Sequence, residues 1–368
     1  MQQIPSHLKS IRMLFTASPN CVLVGSDFSQ QEVRLLADIS KDKNMLNAYT
    51  NNKDIYALVA SLVYHNNYKD NLEHYPDGTT NVDGKKRRAN CKSIVLGINY
   101  GRGTASISEQ IGESFEETQT IVNEYFNEFP NIKRLISESQ KKAKKYGYVT
   151  DLWGRRRRLP DIQLPKYEIK SKNKDSLFNP LLICKDREIK NSLVDKYKDL
   201  ISGVKYKKDI DKIKQSALKD GIEIKDNSGF IAQAERQCLN SIIQGSAASM
   251  TKQAMLNIYN DDMLNNLGFK LLLNVHDELI GECPKENAEE CAKRLEEVMK
   301  NAARDKCDCP FKCDADISKK WYYNENCAEL KKMLNDYIEQ GLTSDDAFSK
   351  LCNEREEFTP SEIREMLE

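Results

Sequence analysis

Two spacings of apolar residues alternate along this chain, one fitting strands and one fitting helices. Cys21-Val22-Leu23-Val24-Gly25-Ser26-Asp27 is a short apolar run ending in a small residue and a carboxylate, which predicts a buried strand with its acid at the tip. Just after it, Val33, Leu36 and Ala37 recur at helical spacing within Gln31 to Ile39, with Ser29 placed to cap that helix. The acid therefore falls at a strand-to-helix junction. From about residue 43 to 146 the pattern is mainly helical, with breaks near Pro76-Asp77-Gly78, Gly101-Arg102-Gly103 and Phe129-Pro130-Asn131. Within it, Arg87 to Asn99 reads as one helix. Arg88, Ala89, Lys92 and Leu96 fall near one face, and Cys91, Val95 and Ile98 near another.

Residues 163 to 229 carry 16 basic and 11 acidic side chains in short amphipathic pieces, and read as an inserted, partly helical excursion. Ala232 to Ile258 returns to a helix, expected in two parts around Gly245. Phe269 to Val275 and Glu278 to Glu282 are strand-like runs flanking His276-Asp277, which predicts a tight hairpin with a second carboxylate at its turn. Pro284 to Arg304 reads as a charged amphipathic helix, Phe311 to Ile317 as an edge strand, and the tail as helical, with a start at Thr359-Pro360-Ser361-Glu362. No internal repeat is visible.

Composition narrows the class. At 368 residues, 39% hydrophobic and 30% charged, the chain is long enough for two or three units and too apolar for general disorder; Gly (16) and Pro (10) are too few for collagen-like or mucin-like chains. No run approaches the ~18 apolar residues a spanning helix needs, and Met1 to Ser10 lacks a signal-peptide layout. Eleven scattered cysteines read as reduced thiols. A soluble protein of the cytoplasm is expected, with no membrane partner. The zero net charge hides an asymmetry: Tyr322 to Glu368 holds 12 acidic and 5 basic residues. The rest is basic, concentrated at Lys85 to Arg88, Lys141 to Lys145 and Arg155 to Arg158. One such run is usually a solvated helix face, whereas three in one chain favour a polyanionic partner. Cys307, Cys309 and Cys313 lack the paired Cys-x-x-Cys spacing and nearby His of a zinc site.

Asp27 and Asp277 stand 250 positions apart, yet each ends an apolar strand. Two carboxylates ~4 Å apart would repel by roughly 4 kcal/mol at an effective dielectric of 20, a penalty that a bound cation reverses. Hard oxygen ligands favour Mg²⁺, whose shell is commonly finished by water and substrate phosphates. Arg88 and Lys92 supply the opposite charge one helical turn apart, a fork and a point charge suited to a triphosphate. Taken singly, these residues are turn aspartates and a solvated basic helix.

In combination they are more specific. Arg88-x3-Lys92-x4-Gly97-x2-Tyr100-Gly101 resembles the nucleotide-binding fingers helix of family A DNA polymerases, the polymerase I type. Asp27-Phe28-Ser29-Gln30-Gln31-Glu32-Val33-Arg34 resembles that family's first palm motif, and Val275-His276-Asp277-Glu278 its last. Between them, in the family's order, Gly147 to Asp161 is similar to the segment leading back into the palm, and Ala234 to Ala248 to the helix along the duplex. Gln2-Gln3-Ile4-Pro5 is similar to the palm's start.

The resemblance implies an α+β right-hand fold: an antiparallel palm sheet from residues 1–41 and 147–321, helical fingers from 42–146, the excursion at about 163–229, and an acidic tail at 322–368. It implies two Mg²⁺ ions held by Asp27, Asp277 and the Phe28 carbonyl, with Glu278 beside them. Arg88 and Lys92 would bind the incoming phosphates, and Lys92 would also donate a proton toward pyrophosphate. Glu32 would crowd the sugar C2′ position and select deoxynucleotides, which disfavours a related single-subunit RNA polymerase. Gln30, Leu96 and Tyr100 complete the nucleotide site. Arg155, Arg236, Asn240, Gln244, Asn274 and His276 would contact primer-template DNA.

Two departures from the family pattern stand out. Leu96 replaces an aromatic residue that stacks on the nucleotide, and Asn274 replaces a longer Gln. The chain starts inside the first palm segment, so the resemblance further implies no thumb and no proofreading here, with a second, phage-type polypeptide carrying the thumb and 3′–5′ exonuclease. The alternative function is an idle DNA-binding or assembly fragment of a split polymerase.

Overall fold

Cys21–Phe28 forms the expected strand because its apolar side chains are covered on both sides: Val22, Leu23, Val24 and Phe28 are buried. The computed structural model describes residues 9–12, 14–75, 78–171, 180–204, 207–321, 323–355 and 360–367. Gln2 to Pro5, the Pro76-Asp77 break and Thr359 lie outside the described residues. The strands in chain order are β1 (Cys21–Phe28), β2 (Tyr148–Thr150), β3 (Arg156–Arg158), β4 (Tyr167–Ser171), β5 (Ile222–Asp226), β6 (Lys270–Val275), β7 (Glu278–Pro284) and β8 (Cys313–Ser318). They form antiparallel sheets among many helices, so the fold is α+β.

The chain divides into two compact units: residues 1–91, 123–132 and 243–368, and residues 92–122 and 133–242. The first holds a four-stranded sheet in the order β6-β7-β1-β8. β8 lies at the sheet's edge, as its alternation predicts, and β6 and β7 form the expected hairpin. The Ala288–Lys300 helix packs on this sheet with Cys291, Leu295, Val298 and Met299 buried and its charges outward. It begins four residues later than expected, after a 3-10 turn at Lys285–Asn287.

Gly281 on β7 pairs with Leu271 on β6. A Cβ there would overlap the ring of buried Phe269 and lie 2.6 Å from the Lys270 carbonyl oxygen. Gly281→Ala is therefore expected to cost about 1–3 kcal/mol, from overpacking at a site with backbone on one side. A urea titration following the shift in midpoint measures it, and an unchanged midpoint would show that the hairpin yields.

Ala232 to Ile258 was expected as two helices, but Ser228–Tyr259 is one continuous helix. One interior Gly costs only about 1 kcal/mol. Burial of Leu239, Ile243, Ala247, Met250, Ala254 and Ile258 outweighs it. The basic excursion in the second unit holds the β4–β5 pair and the helices Pro180–Ser202 and Lys207–Lys219. Tyr197, Ala217 and Ile222 form its small core. The acidic tail folds as helices Tyr323–Glu339, Ser344–Glu354 and Pro360–Leu367 around Leu330, Tyr337, Ala347, Leu351 and Ile363. Among the described residues, no helix is long and apolar enough to cross a membrane.

Candidate active site

The first unit's sheet brings together acids far apart in the chain. Asp27 on β1 is directly opposite Glu278 on β7 and Asp314 on β8, a row of three carboxylate residues across three strands. Cross-strand partners share a sheet face, and like charges placed so destabilise it. Asp277 completes the group at the β6–β7 turn. Burial, then Asp277 and Glu278, with a smaller push from Asp314, raise the Asp27 carboxyl to about 7, although its backbone hydrogen bond with Phe28 works the other way. The residue keeps solvent access, which screens part of the repulsion.

Local packing anchors the chain just after Asp27. Phe28 is buried edge-on against Phe311 at 6.5 Å. The Ser29 N–H donates to the Lys312 carbonyl at 2.8 Å, while Arg34 donates to the carbonyls of Ser29 and Pro310. The following helix, Gln31–Ser40, starts from Gln30 in the left-handed region, not from a Ser29 side-chain cap as expected. Gln30 instead accepts from the Tyr49 hydroxyl at 3.0 Å and donates to Asp54 at 3.3 Å. Gln31 is buried and donates to Thr251.

At the hairpin, exposed His276 takes φ 58°, a conformation that L side chains adopt at a cost. The Asn274 amide donates to the His276 carbonyl at 3.3 Å and braces the turn.

Arg88 lies in the helix Val82–Asn99 and is held by two carboxylates. Its Nε and Nη2 donate to Asp54 Oδ2 at 2.9 and 2.7 Å, and its Nη1 donates to Glu73 Oε1 at 2.9 Å. Its guanidinium also lies 5.3 Å from the Tyr56 ring centroid. Burial and Asp54, with Arg88 opposing and Glu32 adding a smaller push, raise the Tyr56 phenol well above its ordinary value. Gln30, Glu32 and Arg88 thus share one neighbourhood of the first unit. Asp54, Glu73, Tyr49 and Tyr56 had no part in the sequence reading. Asp54 carries a helix-cap signal, but nothing local pairs it with an arginine 34 positions away.

The helix passes into the second unit at Lys92, which is exposed. Cys91, Val95 and Ile98 are buried, as the two-faced pattern predicts, with Leu96 and Tyr100 half-buried. Gly101, at φ 71°, packs against Arg236: a Cβ there would lie 2.9 Å from its Cγ. Arg236, Asn240 and Gln244 follow one another along the Ser228–Tyr259 helix, the first two in the second unit and the third in the first. Arg236 and Gln244 are exposed, whereas Asn240 Oδ1 is buried without a hydrogen-bond partner among the described residues. An orphan of that kind costs about 1–3 kcal/mol. Arg155 and all of β3 are exposed, with Arg156 over the Tyr148 ring.

The donor set suits a hard divalent cation. Among the described residues no three His, Cys, Asp or Glu side chains converge enough to hold a metal by themselves. Two carboxylates with a backbone carbonyl, water and substrate phosphates need no third side chain, and this is how Mg²⁺ is commonly bound. Burial is the largest cause of the raised Asp27 carboxyl, and the repulsion from Asp277 and Glu278 that adds to it is the kind a cation relieves.

The chain is similar to several known proteins. DNA polymerase I of Bacillus subtilis is 30% identical over 326 residues, covering 88% of this chain and 28% of that protein. The Chloroflexus aurantiacus DNA polymerase I is 28% identical over 324 residues, covering 87% and 26%, and the thermostable Thermus aquaticus enzyme is 28% identical over 302, covering 81% and 27%. The chain thus spans under a third of the length of these relatives. The solved POL domain of Pol1 from M. smegmatis, in complex with DNA primer-template and dNTP, shares the fold with TM-score 0.62 and 24% identity, covering 87% of this chain and 44% of that one. The family model for DNA polymerase family A matches residues 1–182 and 203–323, and to that family this chain belongs.

Proposed function

We propose that the chain carries the nucleotidyl-transfer site of a template-directed DNA polymerase, adding deoxynucleotides to a primer 3′ end. The observation that carries this reading is the row Asp314, Asp27 and Glu278 across three strands, with Asp277 at the adjoining turn. Its repulsion has a physical purpose if a cation binds there. Two Mg²⁺ ions at Asp27, Asp277 and the Phe28 carbonyl would supply charge neutralisation for in-line phosphoryl transfer. Glu278 sets the charge beside that pair.

Arg88 and Lys92 bind the triphosphate in this reading, and Lys92 protonates the departing pyrophosphate. Gln30, Leu96 and Tyr100 line the nucleotide. Arg155, Arg236, Asn240, Gln244, Asn274 and His276 face primer-template DNA, and the orphaned Asn240 oxygen supports a ligand contact. The DNA and dNTP held by the M. smegmatis POL domain support both classes of partner.

The direct test is extension of a labelled primer on a longer template by the purified chain with Mg²⁺ and four deoxynucleotides. Template-ordered lengthening is expected; none rejects the reading. Glu32 is half-buried in the first turn of its helix, beside Tyr56. Glu32→Ala is expected to raise ribonucleotide use on the order of 10²-fold, read as the ratio of kcat/KM for ATP and dATP. An unmoved ratio removes the steric role of Glu32.

A further inference from the structure

We propose that Glu73 is a gate on the phosphate-binding edge of Arg88, a carboxylate that an incoming nucleoside triphosphate displaces, while Asp54 holds the guanidinium in place. This rests on Arg88 as a nucleotide ligand. A guanidinium has five N–H donors, and three of these are engaged here, two by Asp54 and one by Glu73. The two carboxylates differ in what holds them.

Asp54 is tied on every side. Its Oδ1 caps the helix Ile55–Val63, accepting from the N–H groups of Tyr56 at 2.8 Å and Ala57 at 3.0 Å. Its own N–H donates to the Tyr68 hydroxyl at 2.8 Å, and Gln30 donates to its Oδ2. Moving Asp54 uncaps a helix. The Glu73 side chain is 38% exposed, against 21% for Asp54, and among the described residues Arg88 is its one hydrogen-bond and ion-pair partner. It therefore leaves at the cost of a single bond. That bond, N–H to anionic oxygen, is of the kind a phosphate oxygen would make in its place.

The exchange has a direction. With Asp54 and Glu73 both ionised, the cluster around Arg88 carries a net negative charge, so an anion meets a guanidinium already neutralised. Removing the Glu73 charge should strengthen triphosphate binding through Arg88 and leave the chemical step alone. Loss of a merely structural Glu73 would not tighten binding.

The test is equilibrium binding of Mg²⁺·dATP at neutral pH to the whole chain and to Glu73→Gln, Glu73→Ala, Arg88→Ala and the Arg88→Ala/Glu73→Gln double variant. Both Glu73 variants are expected to bind about fivefold more tightly, the worth of one partly exposed ion pair. In primer extension, KM for dATP falls by a similar factor with kcat unchanged. In the Arg88→Ala background the Glu73 substitution has no effect, since the coupling runs through that guanidinium. Two results overturn the gate alone: wild-type binding that Glu73→Gln leaves equal or weaker, or a Glu73 effect that persists without Arg88. Absence of dATP binding in every variant, each shown folded by its melting curve, overturns the gate and the nucleotide reading together.

Discussion

Asp27→Asn is expected to reduce primer extension by at least about 10³-fold, the scale of losing an electrostatic contributor at the reacting centre, and yet to make the metal-free chain harder to unfold at pH 8. The two effects have one cause. Asp27 faces Glu278 and Asp314 across the sheet, with Asp277 at the next turn, and its carboxyl is raised to about 7 from 3.8. A carboxyl raised in the folded state stabilises the fold below about pH 4, and that contribution is lost as pH rises through about 7. At pH 8 without metal the wild type therefore carries the full repulsion, and the amide removes it. Solvent access keeps the gain to about 1 kcal/mol or less. Denaturant midpoints at pH 8 and pH 5 in chelator measure it, with the gain expected to be clearly smaller at pH 5. Asp314→Asn is the control: it relieves the same row from a residue already paired with Lys312 at 3.3 Å, and should keep extension. Retained extension in Asp27→Asn would remove the proposed metal site.

How much of this was legible along the chain differs from residue to residue. The tip of β1 could be read because seven consecutive residues record an apolar run and its end, and the His276-Asp277 turn could be read because two strand patterns flank it. The acid row could not. Phe311 to Ile317 alternates visibly, but the register that sets Asp314 beside Asp27 depends on packing between strands nearly 290 residues apart. Gln30 replaces Ser29 as the helix cap because Tyr49 and Asp54 reward a left-handed residue there, and neither is local. Gly245 reads as a break by propensity, but burial along a 32-residue helix overrides it. The Arg88 motif stands out through its spacing, whereas the carboxylates that hold it come from a helix cap and a loop with no such pattern.

The same raised carboxyl predicts how the metal requirement changes with pH. A metal ligand must be deprotonated to bind, so protons compete with Mg²⁺ at Asp27 wherever the pH falls below its pKa. The Mg²⁺ concentration for half-maximal extension is expected to be level above about pH 8. It should rise toward tenfold for each unit lost between pH 7 and pH 5, as one competing proton requires. The sign follows from the causes: burial and the charges of Asp277, Glu278 and Asp314 all favour the protonated form. An ordinary aspartate would keep the requirement flat down to about pH 4. Half-saturation is the quantity to follow, because kcat also responds to deprotonation of the primer hydroxyl and would mix the two. Asp314→Asn removes one of the smaller contributions and should move the bend modestly toward lower pH without changing its slope. A half-saturation that is the same at pH 8 and pH 6 would mean that the acids crowding Asp27 do not govern cation binding, and the ion would then have to be held by other groups.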